Sequence, residues 1–139
     1  MSLAKALVSL VAGVTLLGGL FADFVIPGIA KQHIYNPHWP PHAKFHDGQV
    51  IALGVFLGLL ALGLLWYPGG DQRVQFQVAV IVAALYWLAL LSARVFPGTR
   101  WVDPEFEQET PMPLGMPPQM LVSCVFLALL VISEVLHSF

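Results

Sequence analysis

Long apolar stretches separated by charged residues dominate the chain. They lie between Lys5 and Asp23, between Asp47 and Asp71, between Arg73 and Arg94, and ahead of Glu134. A helix needs roughly 20 mostly apolar residues to cross the hydrocarbon core of a bilayer. The pattern therefore predicts four transmembrane helices, at about residues 3–22, 41–67, 74–96 and 117–137.

The connections between these helices differ in length. The second connection contains Pro68, Gly69 and Gly70, which is typical of a tight turn. The first and third connections are long, and with four spans they must lie on the same side of the membrane. We therefore expect an all-α integral membrane four-helix bundle, a single domain over residues 1–139, with two long loops on one side.

Composition supports a lipid environment. Of the 139 residues, 58% are hydrophobic and only 10% are charged, whereas a soluble domain carries about 25% charged residues. A soluble domain of this size could not bury so much apolar surface. The net charge of −2 and the lack of a Lys/Arg cluster argue against nucleic-acid binding. With no recognisable cleavable address, we expect the lipid bilayer to be a bacterial inner membrane.

Histidines are concentrated at the start of the second predicted helix. Three of the five lie in Pro37–Gly48, "PHWPPHAKFHDG". Proline is favoured in the first turn of a helix, so the helix should begin near Pro41. His42 and His46 then share one face with Gln49. Imidazole is the commonest metal ligand, and we predict His42 and His46 as metal ligands, with Gln49 as a further cofactor contact.

Carboxylates that could complete such a site lie in or beside the long loops. Asp23 is flanked by apolar residues and needs a polar partner at that depth. Asp103 begins an acidic stretch that ends at Glu109. Either aspartate is a candidate third ligand for the His42–His46 pair. The sequence leaves the roles of His33, His38 and the acidic stretch open.

Two short motifs resemble the membrane-bound styrene oxide isomerases: Ile26-Pro27-Gly28, and "AKFHDG" at Ala43–Gly48. The resemblance implies that His46 ligates the iron of haem b in a homotrimer. The iron would act as a Lewis acid on a small lipophilic substrate from the bilayer, isomerising an epoxide to an aldehyde. The helix-three tyrosine of that family has an approximate counterpart in Tyr86. His46 and Tyr86, from the resemblance, and Asp23, from its apolar surroundings, are the candidate catalytic residues.

Three functions remain open at this stage. The first is the haem-dependent isomerase. The second is a membrane enzyme with non-haem iron or zinc, whose ligands would come from His33, His38, His42, His46, Asp23 and the Asp103–Glu105 loop. The third is a non-enzymatic membrane subunit or ligand carrier, in which the histidines serve an interface.

Overall fold

Four long helices form the architecture of the computed structural model, which describes residues 2–138. They are α1 (Leu3–Gly19), α2 (Pro41–Trp66), α3 (Gln72–Ser92) and α4 (Pro118–Ser138). A π-helical segment, Leu20–Val25, extends α1, and a 3-10 turn, Ala93–Val95, extends α3. With these extensions, each helix is long and apolar enough to cross a membrane. The predicted all-α four-helix bundle is confirmed.

Local signals explain where the helices begin. The side chain of Ser2 accepts a hydrogen bond from the backbone N–H of Lys5 at the start of α1. Pro41 occupies the first turn of α2. Asp71 caps α3 by accepting from the N–H groups of Arg73 and Val74. This cap places the start of α3 two residues earlier than the apolar pattern indicates.

The bundle is a closed ring in which each helix packs against its neighbours in sequence. Helix α4 returns to contact α1, while α1 and α3 touch less across the diagonal. At one end, the Lys5 ammonium donates to the carbonyl of Leu65. At the other end, Lys31 pairs with Glu109, which joins the first long loop to the second. Both long loops therefore lie on one side, as the sequence predicts.

Helices α1 and α2 pack closely at two glycines of α2. A Cβ added at Gly58 would lie 2.6 Å from the Cβ of Leu16 and 2.7 Å from the carbonyl oxygen of Ala12. One added at Gly54 would lie 2.9 Å from the carbonyl oxygen of Thr15. The two glycines form a G-x-x-x-G pattern, which lets helix backbones approach closely in membranes.

A polar contact crosses the apolar core from α3 to α1. The indole N–H of Trp87 donates to the Thr15 hydroxyl at 3.0 Å, and that hydroxyl donates to the carbonyl of Val11 at 2.9 Å. Both side chains are buried. The outward faces are apolar, with Phe56 and Ile81 more than half exposed. Such outward faces suit contact with lipid rather than water.

Candidate metal centre

Asp23 lies in the π-helical segment where α1 approaches the loop side. The N–H of Ile26 bonds to the carbonyl of Phe21, the i to i−5 pattern of a π-helix. This wider turn follows Gly18 and Gly19 and changes the direction in which the Asp23 side chain projects. Short π-helical turns within α-helices are frequent at functional sites, so the surroundings of Asp23 are a candidate functional site.

Asp23 meets two side chains from other parts of the chain. Nε2 of His33, from the first long loop, lies 3.4 Å from Oδ1 of Asp23. Nδ1 of His33 lies 3.7 Å from Oδ1 of Asp47, which projects from the second turn of α2. One nitrogen or oxygen atom from each residue lies within 4.8 Å of the other two. We call this group the Asp23–His33–Asp47 cluster.

The cluster is shielded from solvent. The side chains of Asp23, His33 and Asp47 are 14%, 26% and 9% exposed. Oδ2 of Asp47 is buried and has no hydrogen-bond partner among the described residues. A carboxylate oxygen in such surroundings is costly unless a cation or a donor compensates it. Asp47 is therefore suited to accept a positively charged ligand.

His33 is held in a strongly negative environment. Burial alone would lower its pKa, but the Asp47 carboxylate at Nδ1 and the charges of Asp23 and Asp103 outweigh burial and raise the pKa. A proton and a metal ion compete for the same imidazole lone pair. The carboxylates that favour a proton on His33 would also attract a divalent cation, since both effects are electrostatic.

Trp39 connects the cluster to the second long loop. Its ring packs edge-on against His33, with the ring centroids 6.0 Å apart. Its indole N–H donates to Oδ2 of Asp103 at 3.0 Å. Asp103 therefore serves Trp39 as an acceptor, and Trp39 in turn limits how the His33 ring can move.

Tyr86 approaches the cluster from α3. A Cβ added at Gly54 would lie 3.3 Å from the Tyr86 ring. A Cβ added at Gly19 would lie 3.5 Å from the Tyr86 hydroxyl and 3.8 Å from Oδ2 of Asp23. Both the hydroxyl and the Asp23 carboxylate thus lie over Gly19. The two glycines leave room for the Tyr86 ring between α1 and α2.

A protein-family model matches residues 7–136, a range that includes all residues of the candidate metal centre. The chain belongs to DUF6640, a family of unknown function. No curated protein and no solved structure matches the chain.

The predicted histidine face of the DUF6640 chain does form. Nε2 of His46 lies 3.1 Å from Nε2 of His42, and Nδ1 of His46 lies 3.1 Å from Oε1 of Gln49. All three side chains are exposed on the outside of α2. The two aspartates expected as third ligands lie elsewhere, because Asp23 pairs with His33 and Asp103 accepts from Trp39.

Sequence reasoning missed Asp47 as a site residue, although a signal was present. Asp47 lies seven residues before Gly54 and eleven before Gly58, so these positions share one face of α2. That face is the buried one. The side chain of His46, one residue earlier, is rotated by about 100° around the helix axis from that of Asp47. The histidines that the sequence pattern favours as ligands lie on the outer face of α2 instead.

Glu105, in the acidic stretch, joins the second long loop to the first through Asn36 and His38, and we call these contacts the clamp. Oε1 of Glu105 accepts from the amide of Asn36 at 2.9 Å, and Oε2 lies 2.6 Å from Nδ1 of His38. Asn36 is fully buried, and its own Oδ1 accepts from the backbone N–H of His38. The hydrogen bond from Asn36, with a further contribution from His38, lowers the pKa of Glu105. The clamp therefore favours the charged carboxylate.

Proposed function

We propose that this protein is a small membrane metalloenzyme whose divalent metal ion, iron or zinc, is held by the Asp23–His33–Asp47 cluster. The observation that carries the proposal is the convergence of these side chains from three separate segments. Asp47 adds a buried oxygen that lacks a partner within residues 2–138. The bacterial inner membrane expected from the sequence stays a prediction.

The donor set suits a borderline transition metal. Imidazole nitrogen and carboxylate oxygen are both common ligands of zinc and non-haem iron. Tetrahedral ligation at about 2.0–2.1 Å places the ligand atoms roughly 3.4 Å apart. The separation of 3.4 Å between Nε2 of His33 and Oδ1 of Asp23 fits this geometry. Asp47, which faces Nδ1, would turn its carboxylate toward the same ion.

Three protein ligands would leave at least one coordination position open, which distinguishes catalytic from structural sites. A metal ion there would supply Lewis acidity to an oxygen atom of the substrate. Tyr86 is the side chain that could donate a hydrogen bond to the same oxygen, because its hydroxyl lies over Gly19 beside Asp23. The apolar outer surface of the bundle favours a small lipophilic substrate that arrives through the bilayer.

Elemental analysis of the purified protein tests the proposal. After expression with added iron and zinc, we expect about one metal ion per chain in the wild type and in His46→Ala. His33→Ala should contain little metal. A wild-type protein that stays free of metal after metal is added back would refute the proposal. So would a His33→Ala protein that retains the full amount.

A haem-dependent isomerase is the second candidate, favoured by the exposed position of His42 and His46 on α2. Ligation of haem b by His46 would require its ring to turn away from His42, whose Nε2 lies 3.1 Å away. The open face of α2 provides no cover, so a second copy, as in the homotrimer implied by the resemblance, would have to enclose the haem. His42 and Gln49 would lie beside it.

Visible absorption separates the two candidates. Protein expressed with ample haem should show a Soret band that disappears in His46→Ala and persists in His33→Ala, if the second candidate is correct. A colourless protein with one zinc or iron ion per chain would exclude haem and favour the cluster. Conversion of an aryl epoxide to its aldehyde is the activity to assay in either case, because an isomerisation needs no co-reactant.

A further inference from the structure

A second polar site lies at the opposite end of the bundle from the Asp23–His33–Asp47 cluster. A cavity of about 350 Å³ opens between the start of α3 and the end of α4. This volume is within the usual range for small-ligand sites, roughly 300–1,000 Å³. Among residues 2–138, six line the cavity, and each of them has a polar side chain: Gln72, Arg73, Gln77, Glu134, His137 and Ser138.

The cavity is lined by two opposite charges that do not form an ion pair with each other. Arg73 and Glu134 both line it, yet neither forms an ion pair with the other or with any residue of the described range 2–138. Glu134 is partly buried in α4, a helix long and apolar enough to cross a membrane. An ionisable side chain at such a position normally has a partner or serves a function.

The surrounding side chains give the cavity a defined shape. The His137 ring stacks on Phe76, with the centroids 3.9 Å apart and the planes 20° from parallel. That packing fixes the imidazole at the cavity wall. The amide of Gln72 donates hydrogen bonds to the carbonyl of Tyr67 and to the side chain of Gln75. The amide of Gln77, in contrast, forms no hydrogen bond with a side chain of residues 2–138.

We propose that this cavity binds a phosphoethanolamine group, the zwitterion in which a phosphate and a primary ammonium are joined by two carbons. Arg73 would bind the phosphate, with Gln77 and His137 as further donors. Glu134 would accept hydrogen bonds from the ammonium. An anion alone would be repelled by Glu134 and a cation alone by Arg73. A trimethylammonium group cannot donate to the carboxylate, so the site should distinguish ethanolamine from choline.

The depth of the cavity favours a lipid headgroup as the source of this group. Arg73 is in the first turn of α3, and Glu134 is about one turn from the end of α4. The neighbouring end of α2 exposes Trp66 and Tyr67, residue types that prefer the headgroup region. A phosphatidylethanolamine molecule in the surrounding bilayer could therefore place its headgroup in the cavity while its chains follow the outer helix faces.

Native mass spectrometry of the intact, detergent-purified protein tests the site. Phosphatidylethanolamine and phosphatidylcholine with identical acyl chains are added in equal amounts. We expect a preference of about tenfold for the ethanolamine lipid, since charge-assisted hydrogen bonds are the strong ones. Glu134→Gln should abolish the preference, and Arg73→Gln should weaken the binding of both lipids. Glu107→Gln, at the other end of the bundle, is the matched control and should keep the wild-type preference.

Two results would overturn the inference: equal binding of the two lipids by the wild type, or an undiminished preference in Glu134→Gln. If Glu134→Gln does not give monodisperse protein, unchanged lipid binding by Arg73→Gln overturns it instead. Free phosphoethanolamine, added without lipid, identifies the source. If free phosphoethanolamine binds and the binding is lost in Glu134→Gln, the ligand is a soluble molecule. If only the lipid binds, the ligand is the lipid headgroup.

Discussion

The imidazole of His33 lies between two carboxylates, with Nε2 3.4 Å from Oδ1 of Asp23 and Nδ1 3.7 Å from Oδ1 of Asp47. This placement draws the first long loop down onto the ends of α1 and α2. It also gathers two largely buried carboxylates, each of which is costly without a compensating partner. A single imidazole therefore joins the loop to the bundle and forms the centre of the proposed metal site.

Asp47→Asn should weaken metal binding at least about 100-fold, since loss of even an outer-shell partner can cost 10- to 100-fold. The change preserves the size of the side chain and removes the charge that the metal would need. Titration of the purified protein with zinc or cobalt(II) measures the effect. Glu107→Gln, which removes an exposed carboxylate paired with Arg100, should leave the affinity unchanged. Equal affinities for Asp47→Asn and the wild type would exclude Asp47 as a ligand.

The clamp formed by Glu105 should open in acid. Its hydrogen bond from Asn36 lowers the pKa of Glu105 below the ordinary value of 4.5. The stabilisation is therefore fully present above pH 4.5 and is lost as the pH falls through the lowered pKa. Hydrogen exchange of residues 97–117, corrected for the intrinsic effect of pH, should show protection that declines only below pH 4.5.

Glu105→Gln provides the comparison for this clamp. Without the carboxylate, the second loop should exchange faster at neutral pH and show little further change in acid. Glu107→Gln, two residues along the same loop, should keep the wild-type profile. An acid transition of the same size in Glu105→Gln would mean that another group controls the loop.

The sequence predicts the four long helices but not the set of residues that forms the candidate metal site. Runs of apolar residues with charges at their ends determine the four spans, because the bilayer requires that length. The proximity of His42, His46 and Gln49 also follows from helical periodicity. The position of His33 does not, since it depends on how an irregular loop folds back over two helices. Asp47 is an intermediate case. Its position on the same helix face as Gly54 can be predicted from the sequence, but its contact with His33 cannot.

Gly58→Ala should destabilise the bundle by about 1–3 kcal/mol, the usual cost of overpacking. The added Cβ would meet the backbone of α1 at Ala12, which cannot move aside as a flexible side chain could. Gly63→Ala on the same helix is the matched control, because, apart from its own stretch of helix, nothing among residues 2–138 lies within 4 Å of its added Cβ. Unfolding in mixed detergent micelles compares the two. A loss of stability no larger for Gly58→Ala than for Gly63→Ala would argue against close packing at Gly58.

The hydrogen bond from Trp87 to Thr15 should contribute less to the free energy of unfolding than its buried position suggests. Thr15→Val leaves the indole N–H without its acceptor, a change expected to cost about 1–3 kcal/mol for a buried donor. Trp87→Phe removes the donor along with part of the ring. In a double-mutant cycle, the coupling energy should be about 0.6 kcal/mol, the average for such bonds in a membrane protein. A coupling near zero would mean that Thr15 contributes only through its bond to Val11, and that ring packing alone holds Trp87 against α1.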